Sequence, residues 1–330
     1  MNHISPDRAR QVLDRARGQR IAVLGDFMLD RHLKGAVRRI SPEAPVPVVE
    51  IDSEMTLLGG AGNVVQNLAS LELVPVALGA IGDDQTGRTL VQHLEQAGAD
   101  VGGMVKCPGR PTTEKTRVIA SDQHVVRVDR ETVTDLNPAE EDQLLGALDQ
   151  VLPTISALIL QDYNKGVLTE RVIASAISLC AKHSVPVSVD PKFDRFFSYR
   201  HTHLFKPNVR EVERVLGTRV RDDDQLLAAG RALFDRLQPE RVLITRGEKG
   251  MTLFLDRERF EHIPTRAIKV HDVSGAGDTV IATFVAAECG GAEPVEAAVL
   301  ANYAAGVVCG EVGVVPIERQ RLIEVIAHSD

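Results

Sequence analysis

The sequence predicts an α/β fold in which helices flank a doubly wound, mostly parallel sheet, with a small β-sheet lid beside it. Short aliphatic runs alternate with helical stretches along most of the chain, polar residues follow the ends of those runs, and two β-prone segments interrupt the alternation. Buried parallel strands are continuous apolar runs. Their alternation with helices is typical of a parallel sheet with ligands at its carboxyl edge.

Composition restricts the class of protein further. The 330 residues carry a net charge of −8 and no tryptophan. The chain is long enough for a large core, and an acidic balance without a basic stripe argues against nucleic-acid binding. The four scattered cysteines form no CxxC pair, which fits a reduced compartment. With no apolar leader and no membrane-length run, we expect a cytoplasmic protein that does not enter a membrane.

The elements follow in a regular order. A helix is predicted over 6–17, with Ser5 as its N-cap. The apolar run 21–24 predicts the first strand, which ends at Asp26. Later elements repeat this pattern, with strands over 76–81, 157–160, 185–189, 204–205 and 241–244, and helices over 64–69, 86–97, 170–182 and 279–287. No linker or fixed-period repeat divides them, so we expect one domain over residues 1–330.

Two β-rich segments lie outside this alternation. Residues 36–52 place three prolines beside short strand-like pieces, and prolines are confined to strand ends and edges. Residues 112–130 alternate in polarity, with a turn predicted at Asp122 and Gln123, which indicates a hairpin. A two-stranded hairpin is marginal alone. We therefore expect the two segments to form a lid, paired within the chain or with a second subunit.

The glycine-rich stretch 272–278 is the strongest candidate for chemistry. Gly275, Ala276 and Gly277 precede a buried helix, whose first N–H groups and positive dipole end form an anion site. Asp278, in the first helical turn, is placed to accept a proton from a substrate hydroxyl beside that anion, as phosphoryl transfer requires. The alternative interpretation is an Asp that only stabilises a helix start.

A second set of residues suits a sugar. Asp26 and Asp30 follow the first strand and are candidates to accept hydrogen bonds from hydroxyl groups, although each could instead make local turn bonds. Gly60 and Asn63 lie in a second glycine-rich entry to a helix that lacks the dinucleotide fingerprint. There the backbone can approach a polar ligand and Asn63 can donate and accept; the alternative is tight helix–sheet packing.

A third set suits a nucleotide. Asn208 and Glu211 share a helical face and could hold water around Mg²⁺. They could equally form a capping box, and the two interpretations are compatible. Thr245 and Gly247 leave room for phosphate or ribose. Asn302 is a candidate for the adenine side, against the alternative of a buried asparagine bonded to the backbone.

Basic side chains near these candidates would suit a phosphorylated substrate if they cluster, whereas a lone one is typically a solvated charge. They are Arg38, Lys115, Arg117, Arg127 and Lys192. We rank Arg117 and Lys192 first as contacts of a substrate phosphate. No GxxxxGK(S/T), GxSxG or HExxH motif is present, so the sequence predicts neither a P-loop enzyme nor a zinc site.

Three segments resemble the signatures of the ribokinase-like (PfkB) sugar kinases: 59–63, 206–211 and 272–278. The resemblance covers nearly the whole chain. Within that family, four further segments look like the corresponding segments of kinases for D-glycero-β-D-manno-heptose 7-phosphate in lipopolysaccharide core synthesis. They are 25–31, 39–49, 161–166 and 189–192. The resemblance implies ATP-dependent phosphorylation of the C1 hydroxyl, giving the 1,7-bisphosphate. A kinase of another sugar phosphate, such as a hexose phosphate, and a non-catalytic sugar- or nucleotide-binding regulator remain the alternatives.

The resemblance also assigns roles. It makes Asp278 the base, the amides of residues 275–277 an anion hole, and Asn208, Val209, Arg210 and Glu211 the ATP and Mg²⁺ side. It places Asp26, Gly60 and Asn63 toward the sugar and implies a lid shared across a homodimer; dependence on a monovalent cation stays open. The sequence departs from the family pattern in two ways. Ser274 stands where many relatives have Thr. The chain is also too short for the nucleotidyltransferase domain of some relatives, which predicts a stand-alone kinase.

Overall fold

The computed structural model describes residues 3–121, 123–266 and 271–328. The strands are β1 (Arg20–Gly25), β2 (Phe27–Ile40), β3 (Pro47–Gly60), β4 (Val74–Ile81), β5 (Asp100–Lys106), β6 (Glu114–Ala120), β7 (Gln123–Arg130), β8 (Ala157–Gln161), β9 (Val187–Asp190), β10 (Leu204–Phe205), β11 (Arg241–Thr245), β12 (Met251–Phe254) and β13 (Phe260–Ile263). The α-helices are α1 (Pro6–Ala16), α2 (Ala61–Ser70), α3 (Gln85–Gln96), α4 (Pro138–Val151), α5 (Glu170–Lys182), α6 (Val209–Leu216), α7 (Asp223–Leu237), α8 (Ala276–Cys289), α9 (Pro294–Cys309) and α10 (Arg319–Ala327).

The main sheet confirms the predicted architecture. Within the described residues it has nine strands, in the order β13-β12-β11-β10-β9-β8-β1-β4-β5. From β11 to β5 neighbouring strands pair in parallel, whereas β12 and β13 add an antiparallel edge. The chain runs outward from β1 in one direction and later from β8 in the other. A ligand crevice is therefore expected at the carboxyl ends of β1 and β8.

Helices cover both faces of this sheet, which explains the continuous apolar runs. In β1, Ile21 and Val23 join one buried cluster while Ala22 and Leu24 join the other. The first cluster includes side chains of α1, α2, α8, α9 and α10; the second includes those of α4, α5 and α7. Because neither face meets water, alternation of polar and apolar residues is absent.

The lid is a separate four-stranded sheet in the order β3-β2-β6-β7. Its first two strands are longer than the predicted segment 36–52, because β2 begins directly after Asp26 and β3 continues to Gly60. The predicted hairpin forms from β6 and β7, but Gln123 starts β7 instead of lying in the turn. Ser121 has a φ of 49° there, and Asp122 lies outside the described residues.

Gly60 connects the lid to the main domain. It ends β3, has a φ of 59° and precedes α2, which begins at Ala61 and thus earlier than the predicted 64. A Cβ on Gly60 would lie 2.4 Å from the carbonyl oxygen of Asp26. Glycine is therefore required by both the left-handed backbone and the close approach of the two chain segments. Among the described residues, no helix is long and apolar enough to span a membrane.

Candidate active site

Asp278 lies in the first turn of α8, buried at the carboxyl edge of the main sheet. Three side chains from distant parts of the sequence donate hydrogen bonds to it. Asn63 Nδ2 reaches Oδ2 at 2.9 Å, while Gln161 Nε2 and the hydroxyl of Tyr163 reach Oδ1 at 3.0 and 2.7 Å. The carboxyl group is therefore held in one orientation, and Asn63 and Asp278, both predicted to contact the substrate, are hydrogen-bonded to each other.

Burial raises the pKa of Asp278 to about 6, with a further contribution from the charge of Asp190. The hydrogen bonds from Asn63 and Tyr163 and the charge of Lys206 act in the opposite direction, because they favour the ionised form. The group is thus ionised at neutral pH yet much more basic than an ordinary aspartate. This combination suits a general base.

The start of α8 has the backbone of an anion site. Gly275 is the N-cap, with a φ of 77° and no side-chain capping bond. Of the three predicted amides, that of Ala276 donates to the carbonyl of Val273 at 3.3 Å. Gly277 faces Lys206 and Asp190, since a Cβ there would lie 3.5 Å from Lys206 Nζ and 3.7 Å from Asp190 Oδ2. The helix start therefore opens beside a buried lysine.

Lys206 and Asp190 form an ion pair that the sequence analysis did not assign to the site. Lys206 Nζ lies 3.0 Å from Asp190 Oδ1, and both side chains are buried. Asp190 Oδ2 also accepts from Gln161 Nε2 at 3.1 Å, so one amide bridges Asp190 and Asp278. A buried cation beside a helix N-terminus can neutralise the charge of a bound phosphate.

Asp26, predicted as a sugar contact, is bonded to the backbone of the loop after β8. Its carboxylate is 1% exposed and accepts the backbone N–H groups of Tyr163, Lys165 and Val167 at 2.8, 3.1 and 3.3 Å. Burial, followed by the charge of Asp162, raises its pKa to about 6 despite these bonds. Asp26 therefore holds the loop after β8, and its contact with a sugar stays a prediction.

Asp30 and Arg117 meet at the base of the lid, where they form a half-buried ion pair between β2 and β6. Gly59 makes room for this pair, because a Cβ there would lie 2.8 Å from Asp30 Oδ2. The other basic residues predicted in the lid are also paired with carboxylates: Lys115 with Asp129 and Glu131, Arg127 with Asp129, and the exposed Arg38 with Glu50. The predicted basic residues are thus distributed along the lid instead of forming one uncompensated cluster.

Lys192, the other basic residue ranked first, lies apart from the lid. Its Nζ is 2.6 Å from Glu211 Oε1 and 5.2 Å from the centre of the Tyr163 ring. Burial lowers the pKa of Lys192, but the charges of Asp190 and Glu211 raise it more, so the pKa is raised overall. Lys192 is therefore a fixed cation at the edge carrying the predicted nucleotide residues.

Asn208 and Glu211 form the capping box of α6. Asn208 Oδ1 accepts from the N–H of Glu211, and Glu211 Oε2 accepts from the N–H of Asn208, both at 2.9 Å. Val209 and the exposed Arg210 continue the first turn. Asn208 also pairs with Thr245 across a parallel bridge. The capping interpretation is confirmed, and the helix start lies at the sheet's carboxyl edge.

Two other predicted nucleotide residues differ in their surroundings. Gly247 is exposed, with a φ of 60°, in the turn after β11, which is compatible with a ligand contact. Asn302 is buried in α9, and its Nδ2 donates to the carbonyl of Pro264 at 2.7 Å. That bond favours the alternative interpretation of a buried asparagine bonded to the backbone, so an adenine contact through this nitrogen is not supported.

Solved structures with this architecture include sugar kinases. The Arabidopsis thaliana ribokinase complexed with ribose and ATP aligns with a TM-score of 0.73 at 20% identity, covering 94% of this chain and 99% of that one. Phosphofructokinase-2 from Escherichia coli in complex with potassium aligns with a TM-score of 0.76 at 19% identity, covering 94% and 99%. At these identities the likeness shows the ribokinase-like fold.

Family membership follows from the sequence match. Residues 19–320 match the pfkB family of carbohydrate kinases, so the chain belongs to that family and is a sugar kinase. The bifunctional protein HldE of Paramagnetospirillum magneticum is 41% identical over 318 residues, and that of Geobacter sulfurreducens is 42% identical over 291 residues. These matches cover 96% and 88% of this chain but 65% and 59% of the relatives, so the chain spans about three fifths of their length.

Proposed function

We propose that this sugar kinase transfers the terminal phosphoryl group of ATP to the C1 hydroxyl of D-glycero-β-D-manno-heptose 7-phosphate, in the cytoplasm, as a step of lipopolysaccharide core synthesis. The similarity to proteins named HldE over most of the chain supports the substrate class. The observation that carries the reaction type is the buried Asp278, held by three donors at the start of α8.

The surroundings of Asp278 suit a hydroxylated substrate. Asn63 donates to Asp278, while its own Oδ1 is buried without a hydrogen-bond partner among the described residues. Buried acceptors are normally satisfied, and a sugar hydroxyl can donate to this one. The same ligand would place a second hydroxyl against the Asp278 carboxylate.

Different groups of the chain then perform proton transfer and charge stabilisation. Asp278 accepts the proton of the attacking hydroxyl as the sugar oxygen bonds to the terminal phosphorus of ATP and the bond from that phosphorus to ADP breaks, releasing ADP; this is the task of a general base. The first amides of α8 and the ammonium of Lys206 stabilise the negative charge on the transferred group. Closure of the lid over the sugar would exclude water and limit ATP hydrolysis.

The residues around Glu211 fit a Mg²⁺ ion that they contact through water. Both Glu211 oxygens already accept bonds, from Lys192 and from the Asn208 backbone. The described ranges contain no group of three or more His, Cys, Asp or Glu side chains arranged to hold a metal. This donor set fits Mg²⁺ carried mainly by ATP phosphates and water, with Asn208 and Glu211 acting through water. Such an ion would neutralise phosphate charge.

The test is a substrate comparison with the purified chain, ATP and Mg²⁺. We expect turnover with the heptose 7-phosphate to exceed that with fructose 6-phosphate, and ³¹P NMR to show a new phosphate on C1. Faster turnover of the hexose phosphate would replace the proposed substrate with the alternative. A product phosphorylated at another carbon would contradict the assigned reaction while leaving the kinase activity in place.

A further inference from the structure

The loop after β8 carries a tyrosine to which the proposed reaction assigns no role. The hydroxyl of Tyr163 donates to Oδ1 of Asp278 at 2.7 Å, and Gln161 donates to the same oxygen at 3.0 Å. Oδ2 accepts one bond from a side chain, that of Asn63. Because a carboxylate oxygen offers about two acceptor sites, protein donors fill Oδ1, whereas Oδ2 retains a site for a substrate hydroxyl.

The backbone around Tyr163 is held by buried carboxylates. Asp26 accepts from the N–H groups of Tyr163 and Lys165, at 2.8 and 3.1 Å. Asn164 adopts a left-handed backbone, with a φ of 54°, and its N–H donates to Asp162 at 2.8 Å. Burying a carboxylate is costly unless its hydrogen bonds are retained. Two buried carboxylates, those of Asp26 and Asp162, hold this short loop. The backbone of the loop therefore fixes the direction of the Tyr163 side chain.

The ring of Tyr163 is also held from its face. Lys192 Nζ lies 5.2 Å from the ring centre, and its ion pair with Glu211 keeps it there. A cation over an aromatic face is attracted to it. The phenol is therefore constrained at three places: its backbone, its ring face and its hydroxyl.

We propose that Tyr163, assisted by Gln161, is a positioning residue that saturates Oδ1 of Asp278, so that Oδ2 is the oxygen that accepts the sugar proton. The inference rests on the proposed role of Asp278 as the base. Burial, with the charges of Asp278 and Asp190, raises the pKa of Tyr163 well above its ordinary value. The hydroxyl therefore stays protonated and donates throughout the working pH range.

Replacing the phenol tests this directly. Tyr163→Phe removes a donor to the ionised carboxylate, which raises the pKa of Asp278. The other charged groups facing that carboxylate remain: Asp190, Lys206 and Lys192. We expect the acid limb of the kcat profile to move up by about one pH unit. The kcat should fall about fivefold at pH 6 and about twofold at pH 7, and recover in alkaline buffer, with little change in the KM for the sugar.

Tyr199→Phe is the matched control. It removes a buried phenol that donates to Asp162 at 2.7 Å, one residue from Tyr163, without touching Asp278. Its acid limb should stay at the wild-type position. Gln161→Met, which removes the second donor to Oδ1, should shift the limb in the same direction as Tyr163→Phe and provides an independent variant if the latter does not fold.

A second readout needs no substrate. The carboxyl group of Asp278 can be titrated by ¹³C NMR of aspartate-labelled protein, with Asp278→Asn identifying its signal. A raised midpoint in Tyr163→Phe but not in Tyr199→Phe supports the proposal. Absence of sugar phosphate turnover in the wild type would reject the proposed function alone and would leave this titration result standing. An unchanged midpoint overturns the proposal. Unchanged titration with faster ATP hydrolysis in the absence of sugar also overturns it, because Tyr163 would then only block water.

Discussion

Gly275 and Gly277 stand two residues apart at the start of α8, yet they are glycine for different reasons. Gly275 has a φ of 77°, and a Cβ there would lie 2.8 Å from Val314 Cγ1. Gly277 does not have a left-handed backbone conformation, and a Cβ there would meet only Lys206 Nζ and Asp190 Oδ2, at ordinary contact distances. The first glycine therefore serves the fold, and the second leaves space where a phosphate would approach.

The two alanine variants should separate these roles. Gly275→Ala forces a side chain into a left-handed conformation and should destabilise the protein by about 1 kcal/mol or more. Gly277→Ala lies inside a helix, where alanine is favoured by up to about 1 kcal/mol, so stability should hold or rise. Its methyl group would occupy the path of the phosphate, so kcat should fall at least tenfold.

Urea unfolding and steady-state kinetics on both variants measure the two effects, with the wild type measured in parallel. A Gly277→Ala enzyme with wild-type turnover would show that phosphate does not approach this part of the helix. A stable Gly275→Ala protein would show that the turn can relax.

The α8 helix joins the site to the opposite edge of the sheet. Asp278 lies in its first turn, and Glu288 in its last turn is 2.9 Å from His203 Nε2. His203 Nδ1 lies 2.8 Å from Glu240. An imidazole between two carboxylates is best satisfied when both nitrogens carry protons. Arg241 Nη1 also lies 2.9 Å from His203 Nε2. Burial and the charge of Arg241 lower the pKa of His203, but the hydrogen bond and charge of Glu288 and the charge of Glu240 raise it more, so the pKa is raised overall.

This ion pair should make stability depend on pH. A raised pKa in the folded state means that the stabilisation is fully present below the ordinary histidine value and is lost as pH rises through the folded value. His203→Gln should therefore lower the free energy of unfolding by about 1 kcal/mol at pH 6 and by less at pH 9. Urea unfolding at both pH values measures the difference, and His183→Gln, an exposed residue, is the control. An equal loss at both values would contradict the charged pair.

Sequence patterns anticipated the elements whose environment is uniform. The runs in β1, β8 and β11 are buried on both faces, and the helix that begins at the glycine-rich stretch is apolar all round. β5 was not anticipated, because glycines interrupt it. A Cβ on Gly103 would lie 2.1 Å from Leu78 Cδ2, so this glycine serves close strand packing. Local propensity contains no information about such a contact.

The candidate site was anticipated where one segment contains it. Asp278 and Gly277 lie in a single motif, and a helix start is readable from sequence. Gln161, Tyr163 and Lys206 were not assigned to it, because strand order alone brings the ends of β8 and β10 beside α8. The backbone partners of Asp26 were not anticipated, because they lie 137 to 141 residues away, in a loop that no local pattern connects to it.

In the whole molecule, most of the exposed large apolar side chains among the described residues lie on the lid. The lid exposes several large apolar side chains: Val37, Ile40, Val46, Ile51, Met55, Val125, Val126 and Val128. Exposed apolar side chains concentrated on one element can mark an interaction site, and a lid sheet has edges that can pair or be covered. We therefore retain the proposal of a homodimer formed through the lid.

Light scattering in solution tests this proposal. The wild type should have the mass of a dimer, about twice the 35.9 kDa of one chain. Val126→Asp with Val128→Asp should shift it toward monomer, because buried charges at an interface are costly. Val312→Asp, at an exposed valine outside the lid, is the control. A monomeric wild type, or a dimer unaffected by the lid variant, would contradict the assignment.

The proposed reaction depends on Asp278 acting as a base. Asp278→Asn keeps the size of the side chain and removes its basicity. We expect ATP to bind with nearly wild-type affinity, measured by calorimetry, while kcat falls by about 10² to 10⁴. A folded Asp278→Asn enzyme with turnover close to wild type would contradict the account.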